Sequence, residues 1–250
     1  MDLKTKEKAM KKKVLILISV LVMSSIGAMN AHSQVLISLL LGDKLNSGKI
    51  EFGITGGFYR SQFIQQSDAD HLGSLALGFY FNFYLKEHLY LYTGVRVKAE
   101  YGGTNIPIYS LGDEDLDGAF AEGSITRRIP YFNVPIALKY RFNNHIFMDA
   151  GIQPSLMHGA RDVFSNTIND KDDLNYKVNM TDQITRLDFG FVGGLGYQFK
   201  KGIGMSIGAK YYYGVVDIYK DDRYATNSNL YLYAEIPIGA NKAKKKAEKN

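Results

Sequence analysis

Asp113-Glu114-Asp115-Leu116-Asp117-Gly118 matches the first half of a calcium loop of the form D-x-D-x-D-G. Such a loop needs a bidentate carboxylate at its twelfth position to close the oxygen cage. Ser124 stands there, and Glu122 comes two residues early. No metal site and no cofactor are therefore assigned. His71 and His158, with Ser61, Ser74 and Ser155, are the residue types that a general base and a nucleophile would use at a barrel rim. No fixed spacing ties them together, so the chain is expected not to be an enzyme, with a rim enzyme acting on lipid A or peptides as the alternative.

A larger chemical set recurs at alternate positions. Glu51, Glu100, Asp149, Asp188 and Glu235 share a polar face with Arg96, Lys98, Lys139, Arg141 and Lys210. Five acids against five bases suggest a neutral lattice of structural ion pairs, because charges away from water persist only when paired and hydrogen-bonded. A solute pore is the competing reading, and a filled interior argues against it.

The elements that must position these groups are strands. From Lys49 onward apolar residues repeat with period two. Leu89, Leu91, Thr93, Val95, Val97, Ala99 and Tyr101 share one face, with Tyr90, Tyr92, Gly94, Arg96, Lys98 and Glu100 on the other. The series Leu75 to Leu85 alternates in the same way. Six further segments lie near 49–60, 128–142, 145–157, 185–199, 203–216 and 228–239, with Phe147 an exception on a polar face. The segments exceed ordinary globular strands and suit tilted membrane crossings. The expected fold is all-β, an eight-stranded antiparallel up-and-down transmembrane barrel.

Glycine sets its orientation. Gly53, Gly57, Gly78, Gly94, Gly151, Gly190, Gly194, Gly196, Gly204, Gly208 and Gly214 lie on the polar face, against Gly56 and Gly193 on the apolar one. Space is scarce inside a narrow barrel, so the polar face is expected inside and the apolar face against lipid. The gaps agree. Short turns at 86–88, 143–144 and 200–202 alternate with long polar stretches near 61–73, 103–127, 158–184 and 217–227, the asymmetry of periplasmic turns and extracellular loops. Pro130, Pro135, Pro154 and Pro237 fall inside proposed strands, where each removes a ladder donor, and Pro130 and Pro135 make the local register uncertain.

Lys11-Lys12-Lys13 followed by an apolar run from Val14 to Ile26 and Ala31-His32-Ser33 has the layout of a signal peptide, assigned to residues 1–33. Residues 34–48 form an N-terminal periplasmic segment, 49–239 the barrel, and 240–250 a Lys-rich tail. The formal charge of +5 is concentrated at the ends: residues 1–33 and 240–250 each carry +4, which leaves the middle at −3. A basic nucleic-acid face is thereby excluded. Without cysteine no disulfide can form. The expected partners are outer-membrane lipid and lipopolysaccharide; an acidic rim of Asp170, Asp172, Asp173, Asp221 and Asp222 fits divalent ions bridging lipopolysaccharide phosphates and fits plain solubility equally well.

Leu39-Leu40-Leu41-Gly42-Asp43-Lys44-Leu45-Asn46-Ser47-Gly48-Lys49-Ile50-Glu51-Phe52-Gly53-Ile54, Val134-Pro135-Ile136-Ala137-Leu138-Lys139-Tyr140 and Gly193-Gly194-Leu195-Gly196-Tyr197 resemble the porin-like outer-membrane barrels of Bacteroidetes, the group that includes PorT-type proteins. The resemblance covers about residues 39 to 239. It implies a Gram-negative outer-membrane location, an eight-stranded barrel and, for some relatives, a part in protein secretion with other envelope proteins. Ile236-Pro237-Ile238 departs from the terminal aromatic of many such barrels.

Overall fold

A computed structural model describes residues 49–66, 68–168, 171–200, 203–221 and 224–238. The expected signal peptide, the expected periplasmic segment at 34–48 and the Lys-rich tail lie outside them. The strands are β1 (Ile50–Ile64), β2 (Asp70–Lys86), β3 (Leu89–Lys98), β4 (Glu100–Ile106), β5 (Ser124–Asn133), β6 (Ile136–Arg141), β7 (Ile146–Met157), β8 (Arg161–Ile168), β9 (Lys171–Asn179), β10 (Leu187–Gln198), β11 (Ser206–Gly214) and β12 (Thr226–Pro237). One short helix, α1 (Glu114–Phe120), precedes β5. Among the described residues no helix is long and apolar enough to cross a membrane.

The hydrogen-bonded order is β1-β12-β11-β10-β7-β6-β3-β2-β4-β5-β8-β9, and β1–β2 pairing closes it. The antiparallel closed barrel stands. The expected count of eight does not: ten strands form the wall, and the β8–β9 hairpin lies outside it. β4 and β5 join the wall through pairings of β2 with β4 and of β5 with β3 and β7. Two causes account for the miscount. The segment read as one strand from 128 to 142 breaks at Val134-Pro135, and the stretches 103–127 and 158–184, read as loops, contain most of β4, part of β5, and all of β8 and β9. Pro135 has no N–H for a ladder, so a break at that point satisfies the backbone better than a continuous strand.

Alternation translates directly into two environments. Along β2, Leu72, Ser74, Ala76, Gly78, Tyr80 and Asn82 are buried, while Leu75 and Leu77 between them are exposed. Leu187, Phe191 and Leu195 of β10 and Leu138 and Met148 of β6 and β7 are likewise exposed. A band of exposed aliphatic and aromatic side chains around a buried polar interior is what a lipid solvent selects and water would penalise.

The register shifts between Leu77 and Gly78 of β2, where Gly78 pairs with Arg96 and Leu77 pairs with Lys98. Val97 is the extra residue of this bulge, and a bulge turns the side chains beyond it to the opposite face. Lys98 is therefore exposed beside Leu77, not in the lumen, and Tyr101, expected on the lipid face, is fully buried. Both corrections follow from one inserted residue.

Candidate functional site

The lumen is the chemically densest part of the molecule. Near the short turns, Glu51 of β1 accepts hydrogen bonds from Tyr80 Oη at 3.0 Å and Asn82 Nδ2 at 3.2 Å, and Arg141 of β6 closes on its second oxygen at 2.9 Å. Above this group Lys139 Nζ reaches across to Glu235 Oε2 of β12 at 3.2 Å, and Ser206 donates to the same oxygen at 3.0 Å. Lys210 of β11 pairs with Asp149 of β7 at 2.8 Å. These two strands are not neighbours. Gly194 of β10 lies between them, paired in register with both Lys210 and Asp149, and a Cβ there would come within 2.6 Å of Lys210 Cγ. The missing side chain gives the ammonium its path.

Tyrosine rings fill the space between the charges. Lys210 Nζ lies 3.5 Å and Lys139 Nζ 4.4 Å from the centre of the Tyr92 ring, and Lys139 also sits 4.5 Å from that of Phe147. Phe147, the exception in the alternation, fits because Gly196 faces it across the β7–β10 pair. Arg96 hydrogen-bonds Gln153 Oε1 at 2.9 Å, lies over Tyr231 and, among the described residues, has no carboxylate partner; Gln153 in turn donates to Tyr101. A cavity of ≈ 10 Å³ bounded by Tyr59, Arg96, Gln153, Lys210, Tyr212 and Asn229 among others has room for about one water. Higher still, Asn227 donates to Asp188 at 2.9 Å, so Asp188 is held by an amide and not by a cation.

Of the ten residues read from sequence as one lattice, the structure pairs Glu51 with Arg141, Lys139 with Glu235 and Lys210 with Asp149 inside the barrel. It places Arg96 and Asp188 there without ion pairs among the described residues, and Lys98 outside. Glu100 is also elsewhere: it binds Arg128 at 2.9 Å and Arg161 at 2.8 Å on the outer surface of β4, β5 and β8.

Sequence reading missed a second buried charge group. Arg127 of β5 donates from Nε and Nη2 to the two oxygens of Asp162 in β8 at 2.7 and 2.6 Å, and from Nη1 to Tyr219 Oη at 2.6 Å. Tyr109 donates to Asp162 Oδ2 at 3.0 Å. Phe63, Ile106, Phe120, Ile125, Ile129, Phe164, Ile184 and Ile218 pack with this group in one buried cluster, an apolar cap over the lumen at the end with the long connections. Arg127 and Asp162 lie in stretches read as loops, where no apolar contrast marks the inward positions.

The acidic motif is occupied by local structure. Asp113 caps α1, accepting from Asp115 N at 3.0 Å and Leu116 N at 3.1 Å. Asp117 accepts from the Ser110 hydroxyl and from Leu111 N. Those two bonds hold the Asp117 carboxyl below its ordinary pKa. A lowered folded-state pKa stabilises this turn above the unfolded value of about 3.9, and the contribution is lost as pH falls through the folded value. Carboxyl NMR of the refolded protein should give Asp117 a midpoint below that of a free Asp, and Ser110→Ala should raise it.

The rim residues are dispersed. Ser61 donates to the carbonyls of Leu72 and Gly102, and Ser74 to that of Glu100. The His158 ring stacks on Phe132 at 4.5 Å, and Ser155 is buried facing inward. His71 lies at the start of β2, exposed.

A profile described as outer membrane protein beta-barrel domain matches residues 38–220. Among solved structures, Ail of Yersinia pestis, in complex with the heparin analogue sucrose octasulfate, is similar at 14% identity and TM-score 0.40, covering 76% of this chain and 99% of that one. Neisserial surface protein A is similar at 9% identity and TM-score 0.41, with 76% and 97% covered. OprG of Pseudomonas aeruginosa gives 12% and 0.39, with 77% and 97% covered. No curated protein matches.

Proposed function

This chain belongs to the outer membrane protein β-barrel domain family, and from that membership we propose that it is a non-conducting membrane anchor that presents its capped outer end to a protein partner of the envelope. The observation that carries the reading is the transverse lock at mid-lumen, where Lys139–Glu235 and Lys210–Asp149 meet over Tyr92 and buried tyrosine rings pack around them. Hydrated ions do not pass a lumen plugged by paired charges and packed rings without breaking that lock. The Arg127–Asp162 group and the apolar cap form a second seal.

Partner binding is supported by the outer sheet, where β9 hydrogen-bonds only to β8 among the described strands and leaves its other edge open. A free edge is a template for an added strand. The PorT-type resemblance makes an envelope protein-secretion assembly the first partner to test by crosslinking and pull-down. In planar bilayers the protein should give no stepwise conductance, whereas a Tyr92→Ala, Lys139→Ala, Glu235→Ala variant that still folds should give small steps. Unitary steps from the unaltered protein would replace this reading with that of a solute channel. Altered lipid A masses on expression, lost on substituting His158, would replace it with the rim enzyme.

A further inference from the structure

Directly above the lipid-facing band, one patch of the outer surface carries cations in excess. Alternation along β5 turns Arg128 outward between buried Arg127 and Ile129, and along β8 it turns Arg161 outward before buried Asp162. Arg128 and Arg161 are direct cross-strand partners. Two like charges in that position repel. Glu100 relieves this by taking one guanidinium on each oxygen, at 2.9 and 2.8 Å. A single carboxylate cannot neutralise both, and the side chains remain 34% and 39% exposed. Lys98, turned outward by the Val97 bulge, stands lower on β3, between the Arg96–Asn133 and Glu100–Pro130 register pairs, where its long side chain can extend upward toward the patch; among the described residues it has no ion-pair partner. The patch therefore carries a surplus of about two positive charges.

Its height matters as much as its charge. On the same outer face, Phe132 and Leu156 pair below Arg128, and Leu77 sits beside Lys98. Phe132 lies eight residues above Tyr140, roughly 20 Å in height for strands rising about 3.3 Å per residue and tilted about 40°. Arg128 lies four residues higher, roughly 10 Å more. That is the level of headgroups, with acyl chains against the apolar side chains beneath. Water alone would leave the surplus cations unneutralised beside a low-dielectric slab.

We propose that Lys98, Arg128 and Arg161, braced by Glu100, form a docking site for a phosphate group of an outer-leaflet lipid. This rests on the reading of the chain as a membrane barrel. Glu100 sets the spacing of the two guanidiniums, which can each offer further N–H donors to phosphate oxygens. Lys98 supplies a mobile third charge.

The test uses the full chain refolded in detergent micelles, with native mass spectrometry counting bound lipid. Three probes are compared: bis-phosphorylated lipid A, dephosphorylated lipid A and inorganic phosphate. The unaltered protein should prefer the phosphorylated lipid by about ten-fold or more, at about five-fold per cation near an anionic headgroup. Lys98→Gln should reduce the preference about five-fold, and since this ammonium has no partner its loss should leave folding intact. Lys98→Gln/Arg128→Gln/Arg161→Gln/Glu100→Gln should abolish the preference. Equal retention of both lipids, or a preference that survives the quadruple change, would overturn the proposal. So would displacement of the lipid by millimolar inorganic phosphate, which would mark a free-phosphate site. A protein that stays soluble without detergent and shows no heat-dependent gel shift would overturn the membrane reading itself, a result distinct from a folded barrel lacking lipid preference.

Discussion

Lys139→Ala is expected to lower the unfolding free energy by about 3 to 5 kcal/mol, while Lys139→Met combined with Glu235→Leu recovers most of that loss. Lys139 and Glu235 are each 1% exposed and reach each other from β6 and β12 across the lumen. Removing the ammonium leaves Glu235 with Ser206 and a more distant Lys210, and an uncompensated carboxylate in this environment costs more than the pair contributed. Replacing both by apolar side chains of similar volume removes the charge and keeps the packing against Tyr92 and Phe147. Lys139→Met alone and Glu235→Leu alone complete the cycle that isolates the coupling, because the two side chains touch and their effects are not additive. Urea titration of the protein in vesicles, followed by tyrosine fluorescence and by the gel shift of the folded form, measures each variant against the unaltered protein. If the single and double changes cost the same, the pair is not a unit and the lock across the lumen is not held by charge.

The orientation of the wall was legible in the residues, and the reason is steric. Gly194 lets Lys210 reach Asp149, and Gly196 leaves room for Phe147, so inward positions in a crowded lumen select small residues opposite large ones. What was not legible came from events that leave the alternation undisturbed. The sequence Arg96-Val97-Lys98-Ala99-Glu100 keeps its polar–apolar rhythm straight through the bulge, so alternation alone puts Lys98 and Tyr101 on the wrong faces. The strand count failed for a related reason. β8 runs Arg161-Asp162-Val163-Phe164-Ser165-Asn166, with Asp162 and Phe164 inward and Arg161 and Val163 outward, and above the lipid level neither face needs to be apolar. The Arg127–Asp162 pair was hidden with it, since its partners lie 35 residues apart in segments without contrast.

Gly151→Val is expected to prevent folding, whereas Gly193→Val one residue away in register should leave stability within about 1 kcal/mol of the unaltered protein. Gly151 of β7 faces the lumen and pairs with Ala137 of β6 and Val192 of β10. A Cβ at 151 would stand 2.1 Å from the Ile136 carbonyl oxygen and 2.5 Å from Ala137 Cα. Both atoms are backbone, fixed by the β6–β7 ladder, so no side-chain rotation relieves the clash. The ladder must separate next to the Val134-Pro135 break, where β6 is only six residues long and is tied to the wall by few hydrogen bonds. Overpacking against movable side chains costs about 1 to 3 kcal/mol, and the fixed backbone places Gly151→Val above that range. At Gly193 the nearest atom to such a Cβ is the Asp149 carbonyl oxygen at 3.9 Å, so the added methyl groups extend the lipid-facing surface between strands. The folded fraction of each variant after refolding, read from heat-dependent mobility, compares them directly. A Gly151→Val protein that folds as well as Gly193→Val would mean that β6 can shift outward, and that the lumen is looser at this level than the Lys139–Glu235 contact requires.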